Sequence, residues 1–182
     1  MAMRLTPLCL LCILALTGCL KAPDPDPTFE ALLDSIEQRL AIADAVALHK
    51  WDSGQPVQDS AREQQVLERV RKAASSYKVS PQRATLFFSD QIEADKLRQY
   101  HLLSQWSLVE AAPDIPRLDL TREIRPQLDL LQAQMLDRLA RFDRHRPAHC
   151  EHALAKAIGL RSSDATRRLM LIRATASLCP RG

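Results

Sequence analysis

The sequence is poor in the residues that break helices or build sheets. It has four glycines in 182 residues, aromatic residues make up 4%, and runs of β-branched residues are few. No glycine-rich segment can form the loop that cradles a phosphate group in nucleotide-binding proteins. Leu, Ala, Gln, Arg and Glu dominate instead, and they favour helix. The expected fold is therefore all-α, a single domain built as a six-helix bundle.

Long apolar runs are also missing, apart from one near the start of the chain. Leu5–Leu16 is apolar, follows the positive charge of Arg4, and is shorter than the roughly 20 residues that span a membrane. This pattern is typical of an export signal. The residues at its end resemble a bacterial lipobox, in which the cysteine is acylated after cleavage: Leu16, Thr17, Gly18 and Cys19. Ordinary signal cleavage is the alternative, but it requires a small residue where Leu16 stands.

These residues predict where the mature protein resides. Residues 1–18 are expected to be a signal peptide, and residues 19–27 an acylated Cys19 followed by a tether of alternating Asp and Pro. Leu20, in place of Asp, favours the outer membrane. The predicted location is therefore the periplasm, with a lipid anchor. The helical domain is expected to cover residues 28–182.

The cysteines agree with export. Cys9 and Cys12 would leave with the signal peptide and Cys19 would be acylated, so the mature domain keeps Cys150 and Cys179. Disulfides persist in an oxidising compartment, and we expect these two to form one. Two inert buried thiols are the alternative. The bond would join the last two helices to each other.

No tract of one charge sign is present. The formal net charge is +3, and no polybasic run emerges. Arginines near the C-terminus fit a solvated helix face better than a nucleic-acid surface: Arg161, Arg167, Arg168 and Arg173. We therefore expect no nucleic-acid partner.

Three long helices are predicted in the first part of the domain. The first runs from an N-cap at Thr28 to about Trp51, before a break that contains Ser, Gly and Pro. The second opens at Ser60 with a capping-box pattern and runs to about Tyr77. The third begins at Ser80 and Pro81 and runs to Trp106.

Prolines mark the divisions of the remaining chain. A fourth helix is predicted from Ile124 to Phe142, and Pro126 must either begin it or kink it. Pro147 ends this helix. Two shorter helices follow, divided at Gly159, with Ser162–Asp164 as the cap of the last.

Two cations fall on the apolar stripe of the first helix. Arg39 and Lys50 continue the helical spacing set by Leu32, Ile36, Ala43 and Val46. Both should point inward, where unpaired charge is rare. They are separated by about three turns, or roughly 16 Å, which suits the two ends of a small dianion.

Polar residues also interrupt the apolar faces of the other two helices. Gln91, Asp95 and Gln99 share one face of the third helix, and Arg62 lies beside the stripe of the second. Each residue alone has an ordinary explanation, either a solvated face or a buried group satisfied by its neighbours. Together with the two inward cations, they indicate a pocket for a polar ligand.

Other kinds of site have less support. His145, His149 and His152 have helical spacing, with Glu151 beside them, and this arrangement could suggest zinc. Pro147 interrupts the helix between them, so no metal site is predicted. Nothing in the sequence looks like the nucleophile elbow of a hydrolase.

The ordered spacing of the polar residues resembles the all-helical chorismate mutases, and the whole mature chain resembles their secreted, or gamma, subclass. The segments that carry this resemblance are Arg39 within Glu-Gln-Arg-Leu, Lys50, Pro56-Val57-Gln58-Asp59, Arg62 with Glu63, and Gln91-Ile92 leading to Gln99. An exported precursor, a later helix bearing Arg125 and a C-terminal cysteine pair are also features of the subclass.

The resemblance implies conversion of chorismate to prephenate, a Claisen rearrangement that needs no cofactor. Catalysis then consists of holding a compact chair and donating hydrogen bonds to the breaking ether oxygen. Arg39 and Arg125 match arginines that bind the substrate carboxylates. Lys50 matches the lysine that meets a carboxylate and the ether oxygen, and Gln99 the residue that donates to this oxygen from the other side.

Further matches are less regular. Arg62 matches an additional cation of the secreted type of pocket, and Glu63 the residue that holds the substrate hydroxyl. Asp95 falls at a substrate-binding position where the family more often has Ser or Thr, and a carboxylate there repels a dianion unless it pairs with an arginine. Pro126 should hold the backbone of Arg125 away from helix.

Two other functions remain open at the level of sequence. Isochorismate pyruvate lyases share the fold and the cationic pocket. A helical periplasmic lipoprotein without catalysis could also keep these residues as polar core. For the enzyme, we expect chorismate as the small-molecule substrate, membrane attachment through Cys19, and a homodimer.

Overall fold

The protein folds as a bundle of helices with no β-strand in residues 27–179, the part of the chain that the computed structural model describes. Cys19 and the expected signal peptide lie outside this part. The described part contains six α-helices, which are α1 (Pro27–Ser53), α2 (Ser60–Ala73), α3 (Pro81–Val109), α4 (Arg125–Arg144), α5 (Cys150–Arg161) and α6 (Ala165–Ala174). A 3₁₀ turn at Ala74–Tyr77 prolongs α2, and a π-helical turn at Leu120–Ile124 precedes α4. The prediction of an all-α fold is confirmed.

Two of the predicted N-caps are displaced. α1 already includes Pro27, whose fixed φ suits a first turn, so Thr28 lies inside the helix. At α2 the N-cap is Asp59 and not Ser60, because the Asp59 carboxylate accepts a hydrogen bond from the backbone N–H of Arg62 at 3.0 Å. The predicted cap of α3 is confirmed, since the Ser80 hydroxyl accepts from the backbone N–H of the third helical residue.

Two expectations about helix breaks were wrong. Gly159 lies within α5, since a lone glycine costs only about 1 kcal/mol in a helix, and the break comes at Ser162, which is extended. Arg125 is helical, with φ −60° and ψ −44°, although Pro126 follows it. The π-helical turn before it has already wound the chain, and Pro126 stands in the first turn of α4, where its missing N–H leaves no hydrogen bond unmade.

The main core lies where α3 packs against α1 and α6, and α1 packs against α4. Each helix contributes an apolar stripe of period 3.6. The largest side chains that are fully buried there are Leu32, Leu33, Ile36, Phe87, Phe88, Met135, Leu136, Leu139, Phe142 and Leu171. This core fixes how α1, α3 and α4 are rotated about their own axes, and so determines which of their residues face one another.

A smaller apolar cluster closes the far ends of α1 and α3. Ala47 and Leu48 of α1 meet Leu102 and Trp106 of α3, and the Trp106 ring packs edge to face on Trp51 at 6.0 Å between centroids. Lys50 and Gln99 therefore lie between two regions of packed apolar side chains.

The C-terminal segment is fastened to the rest of the bundle by polar contacts and a covalent bond. Arg83 of α3 pairs with Asp143 and also donates to the backbone oxygens of Ser177 and Leu178. Cys150, at the start of α5, forms a disulfide with Cys179, with 5.7 Å between their Cα atoms. The predicted disulfide is thus present and joins α5 to the segment that follows α6.

None of the helices between residues 27 and 179 combines the length and the apolar character that a transmembrane segment requires.

Candidate functional site

A partly open cavity of about 130 Å³ lies among α1, α2, α3 and α4. The seven site residues predicted from the sequence all line it: Arg39, Lys50, Arg62, Glu63, Asp95, Gln99 and Arg125. Apolar side chains complete the wall, among them Val46, Val57, Ile92 and Leu128. The pocket inferred from helical periodicity therefore exists, with its polar groups contributed by four different helices.

Arg39 and Asp95 meet across the interface of α1 and α3. Arg39 Nε lies 3.0 Å from Asp95 Oδ2, and the side chains are 7% and 13% exposed. The N–H of Nε is not aligned for a hydrogen bond with any acceptor in the described part of the chain. Burial raises the pKa of Asp95 to about 6, against the opposing attraction of Arg39. The contact supplies the arginine partner that a carboxylate at this position requires.

Lys50 is held at the other end of α1. Its half-buried ammonium donates to the backbone oxygen of Val57 at 2.6 Å, in the loop between α1 and α2. Gly54 makes this loop turn, with φ of +67°. Burial lowers the pKa of Lys50, while Asp59 and Glu63 oppose this effect. The loop thus fixes the ammonium against the cavity with one main-chain contact.

Gln99 and Gln91 share a face of α3 but do different things. Gln99 lines the cavity and is 5% exposed, and its Oε1 has no hydrogen-bond partner among residues 27–179. Gln91 donates to the backbone oxygen of Ala174 at 2.6 Å and so fastens α6 to α3. Only the first of these two amides is available to a ligand.

Arg62 and Arg125 form the second cationic side of the cavity. Burial, together with the nearby positive charges of Arg69 and Arg125, lowers the pKa of Arg62. Asp129 limits this repulsion, since its Oδ1 lies 3.2 Å from Arg69 Nη2 and 4.0 Å from Arg62 Nη2. Neighbouring guanidinium groups repel one another less when an anion lies between them. The arrangement therefore suits a bound carboxylate.

Glu63 is held by a lysine that sequence reasoning missed. Lys96 Nζ lies 3.3 Å from Glu63 Oε2, 2.6 Å from Glu93 Oε1, and 3.2 Å from the side-chain oxygen of Gln58. Lys96 follows Asp95 directly, so helical periodicity places it on a different face of α3. Its long side chain brings the ammonium back to the cavity rim.

Asp129 and Gln132 were also missed, and they line the cavity from α4. A signal for Asp129 was present in the sequence, since it follows Arg125 by four residues and therefore lies on the same side of the helix.

The histidines near the C-terminus do not gather into a site. In residues 27–179, no three His, Cys, Asp or Glu side chains are placed to hold a metal ion. Cys150, which lies among these histidines, is bonded to Cys179.

The chain is similar to several known proteins. The family model described as chorismate mutase type II matches residues 30–100. The chain is 31% identical to the secreted chorismate mutase of Mycobacterium tuberculosis, over 81% of this chain and 76% of that protein. It is 34% identical to the secreted chorismate mutase of Mycolicibacterium smegmatis, over 81% and 84%. The crystal structure of chorismate mutase from Burkholderia phymatum superimposes with a TM-score of 0.80 at 42% identity, over 85% of this chain and 97% of that one.

Proposed function

Because the chain belongs to the chorismate mutase family, we propose that it converts chorismate to prephenate without a cofactor. The observation that carries this proposal is the cavity in which cations of α1, α2 and α4 face the amide of Gln99 on α3. Chorismate has two carboxylates and an ether oxygen that gains negative charge as its bond breaks. The cavity offers cations for the first two groups and hydrogen-bond donors for the third.

The carboxylates would be bound from two sides. Arg39 approaches from α1, where its Nε contacts Asp95, and its guanidinium carries five N–H donors in all. Arg62 and Arg125 approach from α2 and α4. A substrate held at both ends is confined to a compact conformation in which its reacting carbons lie close together, and such confinement lowers the barrier of an intramolecular reaction.

Lys50 and Gln99 would act on the ether oxygen. The two residues stand on different helices, α1 and α3, and both face the cavity. Donors that are already in place cost no reorganisation when charge develops on the oxygen. No proton is transferred, so these residues need only to remain donors.

Glu63 would hold the substrate hydroxyl as an acceptor. Lys96 and Gln58 fix its carboxylate at the rim of the cavity, with Lys96 Nζ 3.3 Å and Gln58 Nε2 3.4 Å from Oε2. This contact would select the correct ring face of the substrate.

The direct test is turnover by the purified protein. Chorismate should disappear and prephenate should form, and Lys50→Ala should abolish the reaction. Lys72→Ala is the matched control, because Lys72 lies on the exposed surface of α2 and pairs with Glu68 of its own helix. Release of pyruvate from isochorismate without prephenate formation would identify a lyase, and no turnover of either compound would indicate a protein that binds without catalysis.

We further propose that the protein is exported to the periplasm and anchored through Cys19. The secreted relatives support export, and the lipobox-like residues before Cys19 support the anchor. Cys19→Ser should move the protein from the membrane fraction to the soluble periplasmic fraction. Recovery of wild-type protein in the soluble fraction would contradict the anchor.

We also propose that the protein is a homodimer, as expected from its resemblance to the family. Light scattering of the purified domain should give twice the mass of one chain. A mass of one chain would contradict this proposal and leave the proposed reaction unaffected.

A further inference from the structure

Asp95 lies against the arginine that is proposed to bind a substrate carboxylate. Its carboxylate is in contact with Arg39 at 3.0 Å, on a cavity wall where a substrate carboxylate is proposed to bind. The contact is not an aligned hydrogen bond, so the arginine is not locked to Asp95. A second carboxylate approaching Arg39 would lie beside the like charge of Asp95, whose side chain is largely buried, and this is unfavourable.

The charges around the cavity indicate how this conflict is removed. Five cations line the cavity, together with four carboxylates, those of Asp59, Glu63, Asp95 and Asp129. The lining therefore carries one excess positive charge while all its acids are ionised. Neutralising one carboxylate would raise the excess to two, which matches a substrate with two negative charges.

Asp95 is the carboxylate placed to become neutral. Its Oδ1 is buried and has no hydrogen-bond donor among the described residues, and the same is true of Gln99 Oε1, one turn further along α3. Two buried acceptors without a donor are unfavourable. A proton on Asp95 would turn one of these acceptors into a donor.

Resting on the proposed function, we propose that one proton is taken up by Asp95 when the dianionic substrate binds, so that affinity for the substrate depends on pH. In this complex the substrate carboxylate takes the place of the ionised Asp95 beside Arg39. The proton comes from solvent and returns to it when the product leaves. Asp95 then controls the affinity for the substrate and takes no part in bond breaking.

The other charged groups that line the cavity act on Asp95 in opposite directions. The cations are Arg39 and Lys50 from α1, Arg62 from α2, Lys96 from α3 and Arg125 from α4, and they favour its ionised form. The acids Asp59, Glu63 and Asp129 favour its neutral form. Burial outweighs this balance and raises the pKa of Asp95 to about 6 before any ligand arrives. Two further negative charges in the cavity would raise it again.

The first test is the pH dependence of turnover. Above about pH 6 the wild-type KM should rise about tenfold per pH unit while kcat stays constant, because only binding consumes the proton. Asp95→Asn should abolish this rise. Asp44→Asn is the matched control, since Asp44 also pairs with an arginine across α1 and α3, at 2.6 Å from Arg98 Nε, but lies outside the cavity. It should keep the wild-type slope.

The second test counts protons in the wild-type protein and needs no variant. Calorimetric titration with a stable bicyclic dicarboxylate that mimics the chair transition state, in buffers of different ionisation enthalpy, should show uptake of about one proton near pH 8. Turnover with a KM independent of pH, or binding without proton uptake, would overturn the role of Asp95 while leaving the reaction intact. An absence of turnover at every pH would overturn both proposals.

Discussion

The two donors proposed for the ether oxygen are held in different ways. Lys50 is half-buried and its ammonium bonds to the backbone oxygen of Val57, whereas Gln99 is buried with an amide oxygen that has no donor in the described part of the chain. Lysine remains a cation over a wide pH range, and an amide donates at any pH. Their chemical differences allow separate tests.

Gln99→Glu should convert a permanent donor into one that depends on pH. An ordinary Glu has a pKa of about 4.3, and a rise on burial to about 6, as for Asp95, still leaves the new carboxyl ionised near neutral pH. Loss of one preorganised donor costs about 3 to 4 kcal/mol at the transition state, on the order of a hundredfold or more in kcat. Measured across pH, kcat of this variant should recover toward acid while that of the wild type stays flat. A variant with wild-type kcat at neutral pH would place Gln99 away from the ether oxygen.

Arg39→Met should destabilise the fold as well as stop turnover. It leaves the Asp95 carboxylate without its cation in a largely buried position, and breaking such a pair from one side typically costs roughly 3 to 5 kcal/mol. Adding Asp95→Asn should restore most of the stability and none of the activity. Urea denaturation of the single and the double variant checks this result. If Arg39→Met and the double variant had the same free energy of unfolding, Arg39 and Asp95 would not form a pair in the folded protein.

Periodicity could identify the site residues but not how they pair. Arg39, Lys50 and Gln99 were recognisable because each interrupts an apolar stripe of its own helix. The contact of Arg39 with Asp95 depends on how α1 and α3 are rotated against each other, which the core decides and no single stripe encodes. Lys96 was missed because a long side chain can reach a cavity from a neighbouring face.

At the scale of elements, the cavity and the C-terminal helices are separate parts of the structure. α1 to α4 supply the cavity wall, while α5 and α6 pack on the core and are fastened through the disulfide and the Gln91 contact. The boundary between α5 and α6 was misjudged from sequence because glycine is a weak helix breaker compared with an extended Ser and an Asp cap.

Removing the disulfide should therefore cost stability and spare catalysis. A closed loop of about 30 residues contributes roughly 3 to 4 kcal/mol in the chain-entropy model. The double substitution Cys150→Ala with Cys179→Ala should lower Tm while KM and kcat, measured well below the new Tm, remain near wild type. A large change in KM would show that α5 and α6 shape the cavity after all.

At the scale of the whole molecule, the ionisation of Asp95 should make the free energy of unfolding depend on pH. Its pKa is about 6 in the folded protein and about 4 in the unfolded chain, so the folded state binds the extra proton between these values. The stabilisation is complete below about pH 4 and is lost as pH rises through about pH 6. The difference of about two between the folded and unfolded pKa values corresponds to about 3 kcal/mol in the free energy of unfolding.

Asp95→Asn should remove this contribution without affecting other acids. The free energy of unfolding, measured for both proteins from about pH 4 to pH 7, should fall in the wild type relative to the variant as pH rises. Parallel curves would mean that the carboxyl of Asp95 is not perturbed. Exposed acids such as Glu68 contribute equally to both proteins and cancel in the comparison.

Composition predicted the fold class of the molecule because high helix propensity and scarce glycine leave few alternatives to a bundle. It could not predict the order of contacts, in which α3 becomes the central helix that touches α1, α2 and α6. That order depends on which stripes fit together, a property of the packed side chains.

The bond from Lys50 to the backbone oxygen of Val57 makes the position of a proposed catalytic group depend on a peptide unit. Every residue type carries the same carbonyl, so substitutions at residues 55–58 can accumulate while the ammonium stays in place. Gly54 and Asp59 are different, because the first has a positive φ and the second caps α2 with its side chain. A change in loop length is also different, since one inserted or deleted residue moves the carbonyl by up to about 3.8 Å. Evolution of this enzyme should therefore vary residues 55–58 but conserve the length of the loop.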